Sequence, residues 1–105
     1  MNNLFEDFND IEMLAEDLQS TDAGERIMAV IELTDTADPE VIPHLATAIR
    51  DQDINVRKQA AIALTDFDGV STAAALVGAL SDEHAEVRQA AAVSLTELKL
   101  SLIHI

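Results

Sequence analysis

The chain has 105 residues, with 20 acidic against six basic side chains and a net charge of −14. That length suits one small domain, and the charge leaves no cationic footprint for nucleic-acid phosphates or an anionic membrane surface. Cysteine is absent, which excludes disulfides, thiol catalysis and thiolate metal sites.

Aromatic residues make up only 3% of the chain, with no Trp or Tyr. Ala, Leu, Ile and Val must fill the core, which favours close helix–helix contact. Three glycines and two prolines are too few for the turns of many short strands. The acidic start has no basic segment before an apolar run, unlike a secretion signal. No stretch approaches the roughly 18 apolar residues of a membrane span. A cytoplasmic setting is the expectation.

In chain order, the first predicted helix covers about 3–19, with Leu4, Phe8, Ile11, Leu14, Ala15 and Leu18 on one face. A second helix at 23–35 opens on Asp22 and Glu25, a candidate capping box. A third covers 39–50, with Asp38 before Pro39 at its start and a stripe of Ile42, Leu45, Ala46 and Ile49. Pro43 lies near its first turn, so a tight or slightly bent start is expected rather than a break. The fourth covers 54–67, where Val56, Ala60, Ile62, Ala63, Leu64 and Phe67 recur at helical spacings. Gly69 suits a turn, and Ser71 is the expected cap of a fifth helix at 71–80. A sixth covers 84–99. Asp53 and Asp82 lie near the starts of the later helices.

The chain also repeats itself. Arg26, Arg57 and Arg88 recur every 31 residues. The same shift aligns Ala29, Ala60 and Ala91; Leu33, Leu64 and Leu95; Thr34, Thr65 and Thr96; and Ile31, Ile62 and Val93. It also aligns Leu14, Leu45 and Leu76, then Leu18, Ile49 and Leu80, and it pairs Asp51 with Asp82 and Val56 with Val87. Helices of two kinds therefore alternate. With the helices at 23–35, 54–67 and 84–99 named A and the others B, the order is B, A, B, A, B, A. One such helix pair cannot hide its apolar stripe alone, so stability comes from stacking. The expected organisation is one domain over 1–105: an N-terminal helix, units at about 20–50 and 51–81, and an incomplete unit at 82–105.

The segments Asp51–Leu64 and Asp82–Leu95, with Val56-Arg57 and Val87-Arg88 ahead of Ala60-Ala61 and Ala91-Ala92, resemble HEAT repeats. They look most like the short kind found in phycobilisome-lyase-type proteins, and Asp38–Leu45 matches that pattern too. The resemblance spans about residues 10–99. It implies an all-α fold, a short right-handed α-solenoid of antiparallel helical hairpins. It also implies that Arg26, Asp51, Arg57, Asp82 and Arg88 form a structural ladder, with Ser20 in place of the first Asp. Anion binding by three stacked guanidinium groups is the alternative reading of the arginines.

Catalytic signals are weak. The iron monooxygenase of this fold carries a His-Glu pair directly after the repeat arginine, where this chain has Ile27-Met28, Lys58-Gln59 and Gln89-Ala90. His44, His84 and His104 are scattered and form no zinc motif. The acids between Glu6 and Asp17 lie in a helical pattern, unlike a calcium loop. Isolated glycines make no phosphate loop. No catalytic residue, metal or cofactor is assigned.

The resemblance points instead to protein binding on the concave face, which B helices line in HEAT solenoids. Off the core stripe, the candidates are Met13, Glu16 and Asp17; His44, Thr47 and Arg50; and Ala75, Gly78 and Ala79. The Ala-rich run at 72–80 fits either close helix packing or a contact groove. A partner with a basic or amphipathic helical surface suits such a face. The alternative from the resemblance is a subunit or fragment of a factor that attaches or detaches phycobilin chromophores. The apolar end at 100–105 stands where a further B helix would begin, which suggests truncation, a non-native ending or self-association through that end.

Overall fold

The computed structural model describes residues 2–103, with side-chain surroundings described for 10–98. Expectations for Leu4, Phe8, His104 and the 100–105 end rest on side chains outside that range. Among the described residues there are six α-helices and no strand: α1 (Asn2–Asp17), α2 (Ala23–Asp35), α3 (Ile42–Ala48), α4 (Ile54–Ala63), α5 (Val70–Ala79) and α6 (Ala85–Ile103). The chain is an all-α solenoid.

Side chains set the helix starts. The Asp22 carboxylate accepts the Glu25 N–H at 2.9 Å, but the capping box is only half formed. Glu25 turns away to take the Ser20 hydroxyl, and the Asp22 N–H is satisfied by Ser20 Oγ. Asp53 caps α4 by accepting from the N–H groups of Asn55 and Val56. Asp38 accepts from Glu40 N–H and opens a 3₁₀ turn, Pro39–Val41, that leads into α3. The tight start near Pro43 thus takes the form of a 3₁₀ turn, which the two prolines tolerate because few intrahelical N–H bonds are lost there.

Three local expectations are corrected. Ser71 is not the cap of α5. Gly69 holds that position at φ +118°, a conformation open essentially to glycine, and the helix begins at Val70. The helix expected over 54–67 ends at Ala63, continues as a 3₁₀ turn over Leu64–Asp66, and leaves Phe67 extended but buried. Ile62 is not part of the buried stripe; it is 46% exposed.

Packing follows the alternation of B and A helices. Helix α1 packs on α2, α3 on α4 and α5 on α6, giving three B–A hairpins, while α2, α4 and α6 pack in succession and α3 packs on α5. The slab measures 42 × 37 × 15 Å. Leu33 and Leu64 are fully buried at equivalent positions, as are Leu45 and Leu76, and Val56 and Val87. Each such aliphatic side chain contributes roughly 1.5–3 kcal/mol. Ser94 stands where α4 has Ala63. Its hydroxyl donates to the Ala61 carbonyl at 2.8 Å and meets Thr65 Oγ1 at 2.7 Å, so this buried hydroxyl is satisfied across the α4–α6 contact.

Candidate functional site

The solenoid's polar contacts are organised around the repeated arginines. Arg26 is 5% exposed. Its Nε and Nη2 donate to the two carboxylate oxygens of Asp51 at 2.9 and 3.1 Å, and its Nη1 donates to the Ser20 carbonyl at 2.7 Å. Arg57 repeats the arrangement: Nε and Nη2 donate to Asp82 at 2.7 and 3.3 Å, and Nη1 donates to the Asp51 carbonyl at 2.8 Å. Arg88 donates to the Asp82 carbonyl at 2.7 Å, but it is exposed. Each of the first two guanidinium groups therefore joins the loop of its own hairpin to the loop of the next. The planar fork matches the carboxylate, and the charge-assisted pair is stronger than neutral bonds.

Hydrogen bonding to Asp51 raises the pKa of Arg26 against the opposing effect of burial, with help from the charges of Asp51, Asp53 and Asp22. At Asp82, burial opposes ionisation. Hydrogen bonds from Arg57 and the His84 backbone, with the charge of Arg57, outweigh it and hold the carboxyl below its usual range. His84 Nδ1 lies 3.1 Å from Arg57 Nη2. A guanidinium can only donate, so that ring nitrogen is the acceptor. His84 stands 31 residues after Asp53, and its N–H bonds to the Asp82 carboxylate at 2.9 Å. Sequence reading treated it as an isolated histidine; its register with Asp53 was the signal that it belonged to the loop.

Between α3 and α5 these loops border an open groove of about 930 Å³. Its walls include Ala46, Ile49 and Arg50 from the α3 side and Ala74, Ala75, Gly78 and Ala79 from α5, with Glu83 at the loop end. In the Ala-rich run, Thr72, Leu76 and Ala79 are buried, while Ala74 and Gly78 are exposed. The small residues thus divide between core packing and groove lining. A Cβ added at Gly78 would meet nothing within 4 Å. No tight helix contact accounts for a glycine there.

Of the nine residues expected on a binding face, Arg50, Ala75, Gly78 and Ala79 line this groove. Ala79 is a correction in part: it is only 3% exposed, because its side of α5 also faces the core, and it offers a floor rather than an accessible contact. His44 and Thr47 lie on α3 but outside the groove; His44 is half-buried and Thr47 is exposed. Met13, Glu16 and Asp17 belong to α1 and do not join it. Met13 is 61% exposed, and Asp17 borders a separate acidic depression with Asp22, Glu25 and Glu32. Sequence reading missed Ser71 and Glu83 as lining residues and offered Ala74 only within the Ala-rich run. It also missed a shallower depression between α4 and α6, where Ile62 and Val93 are exposed with Lys58 and Glu86 nearby. The three-copy alignment of Ile31, Ile62 and Val93 could have been read as an outward apolar row.

Among the described residues, no group of three His, Asp or Glu side chains is placed to hold a metal ion, and no helix is long and apolar enough to cross a membrane. A family model of HEAT repeats matches residues 11–96. The solved structure of human deoxyhypusine hydroxylase in complex with glycerol is similar, with a TM-score of 0.76 and 26% identity over 85% of this chain. This chain spans 32% of the length of that one. No curated protein matches.

Proposed function

Because this chain belongs to the HEAT-repeat family, we propose that it is a non-catalytic interaction module, an adaptor or scaffold that grips a partner protein in the groove between α3 and α5. One observation carries the proposal. Helix α5 presents Ala74 and Gly78 to an open groove although no neighbouring helix crowds Gly78. Glycine inside a helix costs roughly 0.5–1 kcal/mol relative to alanine, so its presence at an uncrowded position fits a surface kept low for an incoming helix or loop. The partner's chemistry follows from the lining. Apolar small residues accept an aliphatic ridge, and Glu83 and the chain's overall acidity favour basic flanks, with Arg50 and the carboxylate-paired Arg57 as local exceptions.

The Arg–Asp ladder has a structural role in this proposal. Two of its guanidinium groups already hold carboxylates bidentately, so they are not available to an external anion. The positions after the repeat arginines hold Ile27-Met28, Lys58-Gln59 and Gln89-Ala90 and supply no His-Glu pair, which favours binding over the oxygen chemistry of the fold's iron monooxygenase. The chromophore-lyase alternative gains no observation from the groove.

Affinity capture with the tagged chain and quantitative mass spectrometry tests the proposal, with Gly78→Arg as the matched bait. The substitution fills the groove from an exposed helix position. A protein enriched by the natural chain and lost with Gly78→Arg supports the groove. Equal recovery by both baits contradicts it, and a coloured phycobiliprotein eluate replaces it with the chromophore-lyase reading.

A further inference from the structure

The two carboxylate-filled rungs of the ladder differ in one contact. Asp53 stands two residues after Asp51 and caps α4 through its carboxylate. The same place in the next repeat, two residues after Asp82 and just before α6, holds His84. Arg57 Nη2 consequently has two acceptors, Asp82 Oδ1 at 3.3 Å and His84 Nδ1 at 3.1 Å. Arg26 Nη2, among the described residues, has Asp51 Oδ2 alone, at 3.1 Å. Because His84 Nδ1 accepts, the ring is neutral and carries its proton on Nε2. The side chain is 49% exposed, and Asp82 Oδ1 lies 3.8 Å from Nδ1, so a proton from solvent can reach that nitrogen and find a carboxylate beside it. Two charged side chains thus meet the ring, Arg57 from α4 and Asp82 from its own loop. Glu83, Glu86 and Arg88 are its nearest other charged neighbours along the chain.

We propose that His84 is a proton-operated latch on this rung, exchanging Arg57 for Asp82 as the partner of its Nδ1. Histidine is the side chain that ordinarily changes charge between about pH 5 and 8. A proton on Nδ1 removes the lone pair that Arg57 Nη2 uses and sets two cations side by side. The new N–H turns to Asp82 Oδ1, which already accepts from Arg57 Nη2 and the His84 backbone N–H. Arg57 Nη2 therefore loses one acceptor and shares the other. Its Nε keeps Asp82 Oδ2 at 2.7 Å, and its Nη1 keeps the Asp51 carbonyl at 2.8 Å. The rung is loosened, not broken. Asp82 stays ionised throughout, since its carboxyl is held below the usual range. The first rung carries no imidazole and does not respond. Arg57, Asp82 and Glu83 line the loop end of the α3–α5 groove, so the latch adds a positive charge beside that end and frees one arm of Arg57. It operates whether or not the groove takes a partner protein.

NMR of the full chain, titrated from about pH 8 to pH 5, tests the latch. At the alkaline end the ring nitrogen shifts of His84 should place the proton on Nε2. On acidification the Arg57 side-chain and Asp82 carboxyl signals should shift with the same midpoint as the His84 ring, while those of Arg26 and Asp51 stay in place. His84→Gln offers an oxygen acceptor that does not titrate, so the Arg57 shift should be lost. His84→Asp restores the residue of the first rung and should also leave Arg57 unmoved over this range. Both variants change an exposed side chain and are expected to keep the fold, which circular dichroism checks. A proton on Nδ1 at the alkaline end overturns the proposal, as do Arg57 signals that ignore the His84 midpoint. An Arg57 shift that survives unchanged in either variant overturns it too and assigns the movement to another group, such as His44 on α3.

Discussion

Arg57 and Asp82 meet at side chains each about 10% exposed, so truncating one leaves the other desolvated and without its partner. Arg57→Ala is expected to destabilise the fold by about 2 kcal/mol and to lower Tm by about 10 °C for a domain of this size; an unchanged melting curve removes the ladder's structural role. The depressed pKa of Asp82 adds a pH signature. A carboxyl whose folded pKa lies below its unfolded value contributes stability above the ordinary carboxylate pKa and loses it as pH falls through the folded value. Below about pH 4 the chain is therefore expected to lose stability, and Asp82→Asn should flatten that acid limb while lowering Tm at neutral pH. Urea titrations of both proteins across pH 2–7 check the sign. The arginines and their 31-residue period were legible in the sequence. The carboxylate partner of each was legible only through family resemblance, because the pairing spans 25 residues and no local rule fixes it. The positive φ of Ala37, +57°, had no signal at all, since alanine rarely adopts that conformation.

At the scale of elements, the two glycines around α5 are expected to respond in opposite ways. Gly69→Ala forces a residue with a side chain into φ +118° and should cost roughly 1–3 kcal/mol. Gly78→Ala adds a methyl into open space and should raise stability by roughly 0.5–1 kcal/mol through helix propensity. Denaturant unfolding of the two variants measures both. The apolar periodicity located all six helices, but it read Ile62 as core and carried the fourth helix through to Phe67. Both errors have one cause. Ala60, Ala63 and Leu64 already satisfy the buried face, so Ile62 is turned outward, and a tightening into a 3₁₀ turn lets extended Phe67 reach the core from beyond the helix. Ser71 was overruled by Gly69 because glycine permits the turn that starts α5 one residue earlier.

For the whole molecule, the repeat builds the core, and several departures from it lie at the surface. Positions where the three hairpins agree, such as Ala29, Ala60 and Ala91, are buried in all three. Several positions where they differ meet solvent: polar Glu25 and Glu32 on α2, apolar Val77 and Leu80 at α5, and Gly78 over the groove. The groove was half legible in the sequence. The α5 contribution followed from its small residues, whereas Met13, Glu16 and Asp17 of α1 are not among the groove's lining residues. The rival for partner binding is the outward row of Met28, Ile62 and Val93 on the A helices, each about half exposed. Methyl-labelled NMR of the chain titrated with its captured partner distinguishes the two faces directly. The groove account predicts that the methyl signals of Ile49, Ala74 and Ala75 shift while those of Met28, Ile62 and Val93 stay in place; shifts confined to Met28, Ile62 and Val93 would contradict it.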